Sequence, residues 1–340
     1  MKAVVFPKVK ELEVRDIEEP QIANNEVLVK NIYAGFCGTD IYIYNGDFIS
    51  SYPLIPGHEF SGIIEKVGNN VKTLKKGDRV SIYCDLYCGK CYYCKRNEQN
   101  HCINLKGYAI DYGFGGGFAE YSKILESNAY KISDNLSLKE AALVEPLACF
   151  IYGLSRIKIN YGDKAIIFGV GSIGLVMLQL LKNSGVSHII MVTHNKEKIK
   201  IGEKFGADEV VLNDENLDDK LRSISKNGYD ILIEATGLAK ICEQIFRYTN
   251  KLARVLLYGV SKKDSFIKIR PYQIYEDDLA IYGAFALKNT FAAAIELLEN
   301  KKIDLEGLIS HEFKLADFKK AFDMAKSGKA LKIIINCLEK

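Results

Sequence analysis

The sequence predicts an α/β chain of two domains, and three observations carry that expectation. Its 340 residues exceed what one ordinary core holds and suit two. The first ~145 residues hold short β-rich runs separated by Gly, Pro, Asn and Asp clusters. From about residue 147 onward the pattern changes to strands alternating with helices. The expected architecture is an antiparallel, barrel-like β-rich domain followed by a doubly wound parallel sheet.

Composition narrows the class. Hydrophobic residues make up 48% and charged residues 26%, the proportions of an average soluble globular protein. The formal charge of +3, from 46 basic and 43 acidic residues, implies neither nucleic acid nor an acidic membrane as partner. No apolar run approaches ~20 residues, and the opening Met1-Lys2-Ala3-Val4-Val5-Phe6 lacks the apolar region of a secretory leader. Nine cysteines, five of them between Cys84 and Cys102, read as metal chemistry in a reducing compartment rather than a disulfide framework. The expected location is the cytoplasm.

In the first domain, Glu26–Ile32 and Ser61–Val67 are strand-like, and Lys76-Gly77-Asp78-Arg79 is a turn feeding another strand. Between them lies Cys37-Gly38-Thr39-Asp40, a tyrosine-rich run, and Pro56-Gly57-His58-Glu59. Thiolate, imidazole and carboxylate all bind Zn²⁺, and a catalytic zinc keeps one open position beside three protein ligands. Cys37, His58 and Glu59 are therefore candidate ligands, with Glu145 in Val144-Glu145-Pro146-Leu147 as a further ligand or close partner. Tyr42, Tyr44 and Phe48 stand at alternate positions, which reads as a packed strand face.

Cys88-Gly89-Lys90-Cys91-Tyr92-Tyr93-Cys94, completed by Cys102, is a strong Cys₄ zinc pattern. A closed tetrahedral site has no open position, so this zinc is expected to be structural, holding a small lobe over residues 84–102. Cys84 falls outside the spacing. Gly115-Gly116-Gly117 then leads as a loop into a further strand.

In the second domain Lys164–Phe168 reads as a buried strand, followed at once by Gly169-Val170-Gly171-Ser172-Ile173-Gly174 and an apolar helix. Strand, glycine turn and helix together form a dinucleotide site, since the glycines let a pyrophosphate approach the helix N-terminus. Strand-like runs recur at His188–Thr193, Glu209–Leu212, Asp230–Glu234 and Arg254–Tyr258. Two of them end in Ala235-Thr236-Gly237 and Gly259-Val260, at the carboxyl edge where ligands bind in such sheets. An NAD site wants an acidic residue after the second strand. Thr193, His194 and Lys196 stand there instead, a hydroxyl and cationic groups that favour NADP.

These motifs together resemble the zinc-dependent medium-chain alcohol dehydrogenase family, in particular its polyol (sorbitol-type) and threonine dehydrogenase branches. The resemblance rests on Cys37–Asp40, Gly57–Glu59, the Cys88/Cys91/Cys94/Cys102 lobe, Glu145–Leu147 and Gly169–Gly174, in that order. Leu279–Phe285 is similar to the strand by which the family returns to its catalytic domain. The resemblance implies a GroES-like catalytic domain, residues 1–146 plus 285–340, a Rossmann domain over 147–284, and an active site in the cleft between them. It implies two zinc ions per chain, one catalytic and one structural, and a homo-oligomer, dimer or tetramer. By the same analogy Cys37, His58 and either Glu59 or Glu145 hold the catalytic zinc. Asp40 orients a ligand, and Thr39 takes the alcohol proton.

Two positions depart from the family pattern. The relay histidine of many relatives is Tyr42 here, and a phenol at pKa ~10 is a poorer acceptor near neutrality, so the relay is expected to end in water. The arginine–tyrosine pair of sorbitol-type enzymes is replaced by Ala286-Leu287, with Lys288-Asn289 following. Lys288 is either an anchor for a substrate phosphate or carboxylate, or a surface lysine, and His311 and Phe313 read as structural. Three functions fit: a polyol dehydrogenase, a threonine-type or polyol-phosphate dehydrogenase, and a non-catalytic zinc and nucleotide sensor.

Overall fold

The computed structural model describes residues 1–111, 113 and 115–338. It divides into two compact units, residues 1–148 with 287–340, and residues 149–286.

The first unit is built on a seven-stranded sheet. Its path runs Ile309–Lys314, Lys332–Asn336, Glu26–Phe36, Glu59–Val67, Arg79–Ile82 and Ala129–Lys131, with Tyr121–Leu125 also paired to Glu26–Phe36. All neighbours are antiparallel except Ile309–Lys314 against Lys332–Asn336. Glu26–Phe36 serves three partners because it is long, and register shifts at Leu28/Val29 and Asn31/Tyr33 bend it. Val27, Val29, Phe60, Ile64, Val80 and Phe118 fill the core beneath it.

One expectation about this unit fails. Residues 38–45 are a helix, Gly38–Asn45, not a strand face. Cys37 is its N-cap: the Sγ faces the Thr39 N–H, and the Asp40 carboxylate accepts from the Cys37 N–H at 2.9 Å. This reciprocal capping box stabilises the first turn. Tyr42 and Tyr44 therefore diverge around a helix. Tyr44 packs on Phe6 and Phe322, while Tyr42 stays 39% exposed.

The second unit is a six-stranded parallel sheet in the order Glu209–Leu212, His188–Thr193, Lys164–Phe168, Tyr229–Glu234, Thr249–Leu257, Ala280–Gly283. The chain starts in the middle, winds outward one way, then returns to wind outward the other way. Helices such as Ser172–Lys182 and Leu217–Ile224 make the crossovers. Ala165–Phe168 and Ile189–Thr193 are buried throughout, which accounts for their continuous apolar character. The fifth strand begins at Thr249 rather than near Arg254, with Leu252 in the left-handed region. Among the described residues no helix is long and apolar enough to cross a membrane.

Candidate metal centres and nucleotide cradle

Three pieces of local chemistry bring the first ligand group together. Capping the helix Gly38–Asn45 holds the Cys37 Sγ 3.5 Å from both the N–H and the hydroxyl of Thr39. Gly57, at φ +91°, turns the chain into His58, and a Cβ there would stand 2.7 Å from the Phe118 ring. Only glycine meets both conditions. Glu59 then opens the strand Glu59–Val67 opposite Gly35, whose own Cβ would lie 2.1 Å from the Glu59 Oε2. Gly35 thus leaves the space that the Glu59 carboxylate occupies.

The result is one ligand atom each from Cys37, His58 and Glu59, all within 4.8 Å of one another. Asp40 is fully buried, and its Oδ1 stands 3.5 Å from the His58 Nδ1. Neither of those two atoms has a hydrogen-bond partner among the described residues. Burial alone would lower the His58 pKa, yet the Cys37 and Asp40 charges raise it well above its ordinary value. Anion-capable groups thus converge on one imidazole, which is the environment a divalent cation neutralises.

Glu145 lies outside that group. It is buried in the first turn of the helix Val144–Ser155, and its charge favours the protonated form of Lys332. Lys332 had no role in the sequence reading. Its Nζ pairs with the Glu59 Oε2 at 2.5 Å, both side chains being buried. Burial disfavours its charge, but Glu59, Cys37 and Glu145 more than compensate and raise its pKa.

The second group is the Cys₄ lobe. The sulfurs of Cys88, Cys91, Cys94 and Cys102 lie within 4.8 Å of one another, with Cys91 and Cys102 at 3.9 Å. Short 3₁₀ turns at Cys94–Arg96 and Gln99–His101 fold the loop back on itself. Backbone N–H groups of Lys90 and Cys91 lower the Cys88 thiol to about 6, and the Cys94 N–H lowers Cys91. Burial, with Cys91 and Cys102 nearby, pushes Cys94 up to about 12. Donors aimed at clustered sulfurs, in a lobe with little apolar core, fit a tetrahedral thiolate zinc site. Cys84 is buried outside the cluster, 3.7 Å from the Asp85 Oδ1.

In the second unit the strand Lys164–Phe168 runs into Gly169 at φ +120°, and Gly171 caps the helix Ser172–Lys182. A Cβ on Gly174 would stand 1.9 Å from the Gly169 carbonyl oxygen, whereas a Cβ on Gly171 would meet nothing within 4 Å. The turn is therefore packed tight beneath and open above, beside the first-turn N–H groups of Ser172 and Ile173, which have no partner within the helix, as a pyrophosphate cradle requires. Alongside, Gly259 comes so close to Gly237 that a Cβ would stand 2.1 Å from the Gly237 nitrogen. Buried Glu234 ties this edge together, accepting from the N–H of Thr236 at 2.7 Å, the N–H of Gly237 at 3.1 Å and the Thr236 hydroxyl. Its role was missed from sequence, although an acid ending a strand just before Ala235-Thr236-Gly237 is a readable turn signal.

At the end of the second strand Thr193 is buried, and its hydroxyl faces the Asn195 N–H at 3.2 Å. That hydroxyl shapes the loop, in which His194, Lys196 and Glu197 are exposed. Asn195 in turn caps the 3₁₀ turn Lys196–Lys198.

Comparison with known proteins identifies the family. Residues 23–134 match the alcohol dehydrogenase GroES-like domain, and residues 172–300 match the zinc-binding dehydrogenase family. The chain is 32% identical to D-arabinitol dehydrogenase 1 of Uromyces fabae, over 98% of this chain and 97% of that one. A structure from Sinorhizobium meliloti, described as a zinc-binding dehydrogenase bound to NADP, superposes with a TM-score of 0.93 at 29% identity, covering 98% of both chains. An Escherichia coli alcohol dehydrogenase complexed with NADH gives 0.91 at 27%, covering 99% of both. With both family models matched and a relative aligned end to end, the chain belongs to the zinc-dependent medium-chain alcohol dehydrogenase family and is an NAD(P)-dependent oxidoreductase.

Proposed function

We propose that this protein interconverts a secondary alcohol of a sugar alcohol or related diol with its ketone, using NADP in preference to NAD. The observation that carries the reading is the convergence of Cys37, His58 and Glu59 within 4.8 Å. The D-arabinitol dehydrogenase relative supports the polyol class. A zinc ion held by those three residues would act as a Lewis acid, lowering the pKa of a bound alcohol so that hydride can leave its carbon for the nicotinamide.

The chain's own residues supply the rest. Asp40, buried beside His58, holds the imidazole in place. Thr39 sits 3.5 Å from the Cys37 Sγ, and its hydroxyl accepts the alcohol proton while releasing its own. Tyr42 is 39% exposed, so water reaches that part of the helix and the proton passes to solvent. Lys288 is held by Glu98 at 2.8 Å, which neutralises the charge that a phosphorylated or carboxylate substrate would need. That pairing disfavours the threonine-type and polyol-phosphate alternatives.

Exposed His194 and Lys196, without an acid directly after Thr193, support NADP. The two ligand groups support two zinc ions per chain. The edge strand Ala280–Gly283, with Ile281 37% and Phe285 52% exposed, supports a homo-oligomer. Nine cysteines with no disulfide among the described residues support a reducing, cytoplasmic setting.

The test is formation of reduced cofactor by zinc-replete protein on polyols, simple secondary alcohols and L-threonine, each with NAD⁺ and NADP⁺. Chelator-sensitive turnover of a polyol with NADP⁺ is expected. Turnover with NAD⁺ alone would overturn the cofactor preference, and L-threonine as sole substrate would overturn the polyol class. Silence throughout would overturn the catalytic reading in favour of a sensor.

A further inference from the structure

Glu234 holds two loops of the second unit at once. It ends the strand Tyr229–Glu234 and is fully buried. Its backbone carbonyl accepts from the N–H groups of Tyr258 at 3.0 Å and Gly259 at 2.9 Å, in the loop after Thr249–Leu257. Its carboxylate accepts from the N–H groups of Thr236 and Gly237 and from the Thr236 hydroxyl, in the loop after its own strand. That hydroxyl is turned inward, since it also accepts from the Leu238 N–H at 3.1 Å. The two loops consequently meet backbone to backbone. A Cβ on Gly259 would stand 2.7 Å from the Glu234 Oε2, and a Cβ on Gly237 would stand 2.5 Å from the Val260 carbonyl oxygen. The glycine turn beside them has anchors of its own, the Gly169 N–H donating to the Val192 carbonyl at 2.9 Å and the close packing of Gly174.

The strand order says which end of a dinucleotide these loops face. Lys164–Phe168 lies between His188–Thr193 and Tyr229–Glu234, where the winding direction reverses, and ligands of such sheets bind in that crevice. The pyrophosphate belongs on the helix after Lys164–Phe168, and the adenosine ribose is read at the end of the next strand, His188–Thr193. The loops after Tyr229–Glu234 and Thr249–Leu257 stand on the other side of the reversal, the side left for the nicotinamide half.

We propose that Glu234 is a positioning residue for the nicotinamide half of the cofactor, acting through the loop backbones of Thr236, Gly237 and Gly259 that it clamps together. The inference rests on the dehydrogenase reading. An ionised carboxylate only accepts, so it suits donors converging from one loop, whereas a glutamine side chain must turn an NH₂ group towards some of them. Glu234→Gln therefore loosens the clamp, while the helix Ser172–Lys182 and its glycine turn keep their own anchors.

The test separates the two halves of the cofactor. Binding of NADH and NADPH is measured by fluorescence titration, and binding of ADP and 2′,5′-ADP, which lack the nicotinamide and its ribose, by calorimetry. Glu234→Gln is expected to weaken the better-bound reduced cofactor by about 10- to 100-fold, while the matching fragment moves less than about twofold. Thr236→Val keeps the shape and removes one donor to the carboxylate, so it should show the same pattern with a smaller loss, and it stands in if the glutamine variant fails to fold. A merely structural role for Glu234 would weaken cofactor and fragment alike. Equal losses on both, or no loss on either, would overturn the proposal and leave the dehydrogenase standing. Wild-type protein that binds neither reduced cofactor would overturn the dehydrogenase reading as well.

Discussion

Lys332 and Glu59 form an ion pair of 2.5 Å, with the lysine side chain 11% and the glutamate side chain 1% exposed. Two strand ladders bring them together. Ile333 lies opposite Phe36, and Gly35 lies opposite Glu59, so the carboxyl-terminal strand delivers its first residue to a metal-ligand candidate near the other end of the unit. The ammonium supplies positive charge where the charges of Glu59, Cys37 and Glu145 are felt.

Removing that ammonium should be costly when no metal is bound. Breaking a buried pair leaves an uncompensated charge, worth about 3–5 kcal/mol. Lys332→Met is therefore expected to lower the denaturant midpoint of the metal-free protein, and zinc should restore more stability to this variant than to the wild type. Changing Glu59 to Gln in the same protein should recover part of the loss. Chemical denaturation with and without zinc would show this, and equal zinc effects on both proteins would refute it.

The two ligand groups should respond separately to mutation. Cys37→Ser removes a ligand from a site embedded in the sheet and its capped helix, so metal analysis should fall by about one zinc per chain, with turnover lost and the fold kept. Cys91→Ser removes a ligand from a lobe that has little else to hold it, so residues 84–107 should become the preferred site of proteolysis. Limited proteolysis read by mass spectrometry distinguishes the two outcomes.

Much of this was legible in the sequence because the signals are local. Lys164–Phe168 and His188–Thr193 are apolar runs bounded by turn residues, and the structure gives them those same limits. The four lobe cysteines are separated by so few residues that spacing alone brings their sulfurs together. The helix Gly38–Asn45 was read as extended because Tyr42, Tyr44 and Phe48 alternate, while its real signal is a capping box whose cap is a cysteine rather than Ser or Thr. Lys332 was invisible for another reason: its importance comes from partners reached across the sheet, which leave no periodic trace.

The glycine turn offers a steric test of the nucleotide cradle. A methyl group at Gly174 would be forced to 1.9 Å from the Gly169 carbonyl oxygen, so helix and strand must separate. Gly174→Ala is expected to destabilise the second unit by about 1–3 kcal/mol, as overpacking does. It should weaken binding of both NAD(H) and NADP(H), measured by fluorescence titration of the reduced forms. At Gly171 the same change meets open space, so Gly171→Ala should weaken cofactor binding with little loss of stability. Equal effects at the two positions would contradict the cradle geometry.

Asp78 gives a pH dependence with a definite sign. It sits in the turn after Lys75, where its carboxylate accepts from the Lys75 N–H at 2.9 Å and pairs with Lys131 at 2.8 Å. Burial opposes its ionisation, but Lys131 and the Lys75 N–H outweigh burial and hold the pKa below the usual carboxylate value. A carboxyl depressed in the folded state stabilises the protein above its unfolded pKa of about 4, and that stability is lost as pH falls through the folded value. Asp78→Asn should therefore lower Tm by a constant amount between about pH 5 and 8, and the gap from wild type should close progressively below pH ~4. A gap that persisted unchanged into that acid range would mean the turn depends on the shape of Asp78 rather than on its charge.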